Sequence, residues 1–329
     1  MRTMKQSLLT ILAVTSAGAI SAQDGQLSQY DAAPVLLNPA LTGMYENADF
    51  RMSSNVRSQW SSLSSNFLTT AFAYDVSMER RFGFGSYLSN YNMAGIMNTF
   101  QAGVTGAYNV MDNKADQTLS VGVNLGLIYK KINDQQLVWD AQYDDGNFNT
   151  DLPSGEFLQK GRRLMPEVSL GIAYRGTDPQ KTINPFGNFA LFHVTTPDES
   201  IFRMEESDLH IRYVVNGGMR IQVMEPLTLI PQGVYMRQGN DQLIHAGMMA
   251  EFNIGGSMYS VVGGGSYRWN DAIIAQVGLK HKNAMYRFSY DVNTSPLRSY
   301  TNRNGAYEFS IVYYGTHSGR ERRVKSGSF

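Results

Sequence analysis

The sequence contains no cysteine, which excludes disulfides, thiol nucleophiles and cysteine metal sites. Charge is scarce: Asp, Glu, Lys and Arg make up 17% of the chain, against roughly a quarter in an ordinary soluble domain. The 28 basic residues balance the 28 acidic ones, so there is no basic surplus to hold nucleic acid. Long apolar runs are missing beyond the first residues, and the mean hydropathy of -0.28 rules out a bundle of membrane-spanning helices. It does not rule out a membrane β-barrel, because half of each barrel strand is polar.

Catalytic signatures are absent as well. No Gly-x-Ser-x-Gly elbow occurs, and Gly263-Gly264-Gly265 lies in a strand without the helix a phosphate cradle needs. The five histidines (His193, His210, His245, His281 and His317) fall on separate segments without metal-ligand spacing. They read as incidental lumen or surface residues. Asp144 to Asp151 offers oxygen ligands and a glycine but not the spacing or final Glu of an EF-hand. It reads as a solvated loop, with calcium left open. The acidic stretch carrying Asp198, Glu199, Glu205, Glu206 and Asp208 reads as a hydrated outer loop. The chain is expected to have no catalytic residues, cofactor or metal.

Glycine and aromatics are abundant: 31 Gly, 19 Tyr and 16 Phe. The aromatics alternate with polar residues. Tyr286, Phe288, Tyr290 and Val292 share one face while Arg287, Ser289 and Asp291 share the other. Tyr307, Phe309, Ile311 and Tyr313 oppose Glu308, Ser310 and Val312. A period of two is the mark of strands with one apolar face. The pattern recurs from Phe50 onward in about fourteen segments, an even number whose lengths suit a tilted membrane crossing. Weaker segments fall near 186–195, 209–222 and 226–236, and a sixth strand is centred on Val168–Tyr174. Trp60, Tyr108, Tyr129, Tyr174, Tyr286 and Tyr313 are placed near strand ends, as in an interfacial girdle. The expected fold is all-β, a transmembrane antiparallel β-barrel of about 14 strands.

The N-terminus reads as a secretory leader. Arg2 and Lys5 precede an apolar run from Leu8 to Ile20, and Ile20-Ser21-Ala22 fits a cleavage site. The expected organisation is leader 1–22, periplasmic or plug-like segment 23–47, barrel 48–315 and basic tail 316–329. In the plug-like segment, Asn38, Pro39 and Gly43 read as a cap, a first-turn proline and a closing glycine around one helical turn. Long connections fall mostly on one side of the barrel and short turns mostly on the other, with the fairly long connection 176–185 an exception on the short-turn side; this places the short turns and both termini in the periplasm and the protein in the cell outer membrane. Inward charges are expected at Arg51, Arg57, Lys130, Lys280, Arg287, Asp291 and Glu308. They would set selectivity in an open pore or brace a plug in a closed one.

Two stretches far apart carry a resemblance. Gln26-Leu27-Ser28-Gln29-Tyr30 and then Leu36-Leu37-Asn38-Pro39-Ala40 with Gly43 resemble the opening of PorP/SprF proteins. These are Bacteroidetes outer-membrane proteins linked to type IX secretion and gliding motility. Arg57-Ser58-Gln59-Trp60 resembles the family's first strand, and Tyr290-Asp291 with Leu297-Arg298-Ser299-Tyr300 its last hairpin. Leu27, Asp31-Ala32-Ala33 and the basic tail depart from the family pattern. The resemblance implies a non-enzymatic barrel surrounded by outer-membrane lipid. Its partners would be periplasmic type IX components (a ring-forming lipoprotein complex and a peptidoglycan-binding lipoprotein) and a secreted surface adhesin. Gln29, Tyr30, Asn38 and Pro39 match the motif and would fix the plug turn or dock a partner. The alternative is a channel for small or hydrophobic solutes.

Overall fold

The structure is a computed structural model that describes residues 24–60, 66–111, 116–133, 142–144, 147–148, 161–200, 207–299 and 301–316. The leader, Gln23, Glu205, Glu206, Tyr300, most of the candidate calcium loop, and the tail from His317 lie outside the described residues.

The strands are β1 (Phe50–Gln59), β2 (Phe67–Met78), β3 (Phe82–Met93), β4 (Met97–Asn109), β5 (Gln117–Ile132), β6 (Tyr143–Asp144), β7 (Asn147–Phe148), β8 (Arg162–Gly176), β9 (Ile183–Phe192), β10 (Arg212–Met224), β11 (Leu227–Gln238), β12 (Asp241–Asn253), β13 (Tyr259–Arg268), β14 (Ala272–His281), β15 (Ala284–Asn293) and β16 (Asn304–Gly315). The pair β6–β7 is a separate ribbon, and the remaining fourteen form one closed antiparallel barrel. Closure joins the first strand to the last, from Phe50 opposite Gly315 to Gln59 opposite Ala306. Closure leaves no unpaired sheet edge, which a membrane would not tolerate.

The usual burial rule is inverted. Along β5, Ser120, Asn124 and Lys130 are buried, whereas Val121, Val123, Leu125 and Leu127 are exposed, Leu125 by 55%. Side chains alternate across the sheet, so polar residues face the lumen and apolar residues form the outer wall. Tyr286, Phe288 and Phe309 stand on that outer wall.

One rim carries the turns 79–81, 225–226 and 282–283; the other carries the connections 133–161, 193–211 and 294–303. The division is not absolute, because 94–96, 239–240 and 269–271 are also short and sit on the long-loop rim. Glu79 and Arg80 both adopt positive φ (53° and 57°), the twist that a tight hairpin turn requires.

Three strand boundaries differ from the sequence reading. β8 begins at Arg162 because it pairs with β5 as far as Lys131; Pro166 obscures this in the sequence. β9 ends at Phe192 because His193 turns the chain with φ 59°. β3, marked in the sequence by the alternation of Phe82, Phe84 and Leu88, continues to Met93 by pairing with β2 and β4, although its last residues lack the apolar alternation.

Residues 24–48 enter the lumen. They form a 3-10 turn at Tyr30–Ala32, one α-helical turn at Pro34–Leu37 and a second 3-10 turn at Pro39–Leu41. The start of β1 and the end of β16 share the short-turn rim, whereas Asp24 lies in the opposite half, beside His193 and Arg212. The segment therefore runs the length of the lumen before turning into β1.

Phe309 lies midway along β16, between Val56 and Phe288. Phe309→Arg is expected to destabilise the barrel by about 2–4 kcal/mol, the value for a cation on the lipid face near midplane, and the loss is read by heat-modifiability on gels and by denaturant titration in micelles.

Candidate functional site: the lumen and its filling

The segment has too few helical bonds of its own to satisfy its backbone, so the wall supplies partners. Its head is held by the last hairpin. The Ser28 and Gln29 amides donate to the Glu308 carboxylate at 2.6 and 3.2 Å. The Gln29 carboxamide donates to Ser289 Oγ and to the Glu308 carbonyl, both at 3.0 Å, and accepts from Ser310 Oγ. Ser28 Oγ donates to Asp291 at 2.8 Å. Asp291 also receives Arg57 at 2.9 Å and Arg268 at 2.8 Å, and all three side chains are nearly inaccessible. Tyr30 packs edge-on against His245 with ring centroids 5.1 Å apart. Asp31 pairs with Arg287 at 2.7 Å.

The middle rests on glycines. Asn38 caps the Pro39–Leu41 turn by accepting from the Ala40 amide at 2.8 Å, and Pro39 occupies the first turn, where a missing N–H costs nothing. The Asn38 amide group donates to the carbonyls of Ile172 (3.1 Å) and Phe189 (3.0 Å) and to Asn188 Oδ1 (3.3 Å). A methyl group at Gly171 would collide with Asn38 Oδ1, at Gly122 with the Ala40 nitrogen, and at Gly83 with the Thr42 carbonyl. These inward glycines let the segment's backbone lie directly on the wall.

The foot is held by a forked pair. Arg51 donates to both Asp75 oxygens at 3.0 and 2.8 Å and to the Leu41 carbonyl at 3.0 Å. Asp75 also accepts from the Gly43 amide at 2.6 Å. Gly43 has φ 66° and no room for a side chain. Tyr45 Oη donates to the Asp75 carbonyl at 2.9 Å, and its ring lies under the Arg51 guanidinium.

At the opposite end Asp24 contacts His193 Nε2 (2.7 Å) and Arg212 (2.8 Å), and His193 Nδ1 meets Glu167 at 2.6 Å. Burial alone would raise the Asp24 pKa, but His193 and Arg212 hold it well below the carboxylate range. Burial pushes His193 down, but the Asp24 and Glu167 carboxylates more than offset this and bring it up to about 9. Nearby, Lys130 pairs with Glu199, and Arg163 with Asp198 at 3.0 Å. Part of the supposedly hydrated outer loop therefore folds onto inward cations. Between segment and wall remains a cavity of about 90 Å³ that Val35, Leu36, Phe192 and Val214 share with Asp24, Lys130 and Glu167.

Of the residues singled out in the sequence, Gln29, Tyr30, Asn38 and Pro39 lie on the segment and Arg51, Arg57, Lys130, Arg287, Asp291 and Glu308 on the wall around it, whereas Lys280 lies nearer the short-turn rim beside Glu251. Sequence reasoning missed Ser28, Asp75, Arg268 and the Asp24–His193–Glu167 chain, and set His193 aside as incidental. The legible signal was glycine at inward strand positions such as Gly122 and Gly171, where alternation calls for a side chain. Among the described residues no group of three His, Cys, Asp or Glu is placed to hold a metal.

Residues 19–313 match the family described as type IX secretion system membrane protein PorP/SprF. The chain belongs to that family. This PorP/SprF chain resembles solved structures in fold only. One is a mutant of the TodX monoaromatic hydrocarbon channel (TM-score 0.52, 10% identity, 87% of this chain and 94% of that one). Another is the toluene transporter TbuX of Ralstonia pickettii (TM-score 0.49, 12% identity, 87% and 94%). No curated protein shows significant sequence similarity to this PorP/SprF chain.

Asp291→Ala leaves Arg57 and Arg268 buried without their shared carboxylate, and is expected to lower stability by about 3–5 kcal/mol in denaturant titration. A second prediction concerns pH. The folded-state pKa of His193 lies above its ordinary 6.5, so the contact's stabilisation is complete below about 6.5 and fades as pH rises through about 9. Hydrogen-exchange protection factors near Asp24 are expected to fall as pH rises through about 9 while those of the barrel strands do not.

Proposed function

We infer that this protein is a non-enzymatic, plugged outer-membrane barrel serving type IX secretion and gliding as an anchor. Its short-turn rim faces the periplasm and holds periplasmic components such as the ring-forming lipoprotein complex and the peptidoglycan-binding lipoprotein. Its long loops face outward and assist export and surface attachment of a partner adhesin. The family assignment supports the machinery. The observation that carries the anchoring role is the lumen filling. It is continuous with β1 and clamped at three levels by buried groups of the wall, an arrangement suited to a static strut rather than a conduit.

The second reading, a channel for small or hydrophobic solutes, is favoured by the partly apolar cavity beside Val35, Leu36 and Phe192. In planar bilayers the intact protein is expected to stay non-conducting. A stable pore in the intact protein would establish the channel reading. In cells, a clean deletion is expected to abolish surface display of the partner adhesin and disperse the periplasmic ring; normal secretion and motility would overturn the anchoring role.

A further inference from the structure

The lumen below the segment differs from the lumen beside it. Alongside the segment, inward arginines meet carboxylates: Arg51 meets Asp75, Arg57 and Arg268 meet Asp291, Arg287 meets Asp31 and Arg212 meets Asp24. Near the short-turn rim the balance changes. Arg175, inward at the foot of β8, donates to the Met44 carbonyl at 3.3 Å and has no carboxylate within 4 Å among the described residues. Glu46 lies near it but beyond ion-pair distance. Arg220 and Lys280 share one carboxylate, Glu251, at 3.2 and 2.8 Å.

Among the described residues, three cations thus face this vestibule against Glu251, which contacts two of them, and Glu46, which lies near the third. Charges in a lumen repel unless they are neutralised or wet. This region is wet: Arg220 points inward, yet its side chain is 46% exposed, and inward Gln222 is exposed too. Arg220 therefore faces water, open toward the rim, while Arg175 sits half-buried against the segment, which forms a ceiling above them.

We propose that this vestibule is a docking site for an acidic segment of a partner polypeptide. The proposal rests on the reading that the short-turn rim faces periplasmic partners. Guanidinium groups bind carboxylates through paired, charge-assisted hydrogen bonds. Arg175 and Arg220 stand on β8 and β10 with β9 between them, which separates them by roughly 10 Å across the sheet. Two acidic side chains on one extended strand, about 7 Å apart at alternate residues, reach both with modest side-chain adjustment. A single small anion does not. The rim itself is of mixed sign, with Glu79 and Glu225 beside Arg80 and Lys282, so the attraction is local to the interior. The ceiling means that a bound segment stays docked instead of passing through.

The test uses the full chain in nanodiscs. Because the chain has no cysteine, Gln222→Cys takes a single fluorophore inside the vestibule. A peptide of alternating Glu and Gly is expected to quench it saturably and in a salt-sensitive way, and its Gln–Gly counterpart is not. Removing Arg175 and Arg220 charge-assisted contacts in Arg175→Glu/Arg220→Glu is expected to weaken binding by about tenfold or more, with heat-modifiability retained. Arg220→Gln alone, at an exposed position, is the milder variant should the double reversal fail to assemble, and it is expected to give a partial loss. No peptide binding, binding insensitive to these variants, or inorganic phosphate competing as well as the peptide would each overturn the proposal. In cells, a double reversal that keeps adhesin display and motility while the deletion strain loses them would sink the dock but leave the anchoring role intact. If the deletion strain also keeps them, the anchoring role itself fails.

Discussion

Desolvation of charge governs this molecule. A fourteen-strand barrel places its polar faces inward, and its lumen is too wide for opposite side chains to meet across it. An isolated buried arginine would lose several kcal/mol of hydration. Arg57, Arg268, Asp291 and Glu308 lie on β1, β13, β15 and β16, and the N-terminal segment supplies Ser28 and Gln29 to satisfy the oxygens that remain. Wall and filling are thus mutually necessary. The wall's charges need the segment's polar atoms, and the segment's backbone needs the wall's side chains.

The segment's dependence on wall side chains explains a composition that would be odd in a soluble protein. The segment is nearly all loop, yet its backbone is buried. Its amides go to Glu308 and Asp75, and its carbonyls at Ala40, Leu41 and Met44 accept from Ser120, Arg51 and Arg175. An inward arginine here is less a pore-lining charge than a substitute for a hydrogen-bonded backbone neighbour. The glycines beneath Asn38 and Ala40 serve the same end by removing the side chain that would hold the two backbones apart.

The barrel was legible because its signal is local. Alternation of period two, as in Leu119 to Tyr129, survives whatever the rest of the chain does. Strand edges were less legible where pairing rather than pattern sets them, as at Arg162, or where a single backbone angle ends the strand, as at His193. Of the lumen assembly, the charged wall residues and the Asn38–Pro39 turn could be read, since inward parity and cap chemistry are written in neighbouring positions. Asp75 and Arg268 could not be ranked above other polar residues without knowing the register that places Arg51 opposite Asp75. The direction of the segment was equally hidden. Nothing in residues 24–47 says that they run from the long-loop half down to β1; only the contact of Asp24 with His193 reveals it.

The clasp between Ser28 and Glu308 spans 280 positions of sequence. It sits where β1 meets β16, the seam that must form last if strands pair in the order they are linked. A barrel lacking its final strand would offer the Ser28 and Gln29 amides no carboxylate, and Arg57 would keep only part of its neutralisation. The earliest part of the chain is thereby made into a sensor of whether the latest part has arrived: lumen filling and ring closure become a single cooperative event, and an incomplete cylinder stays open, hydrated and recognisably unfinished.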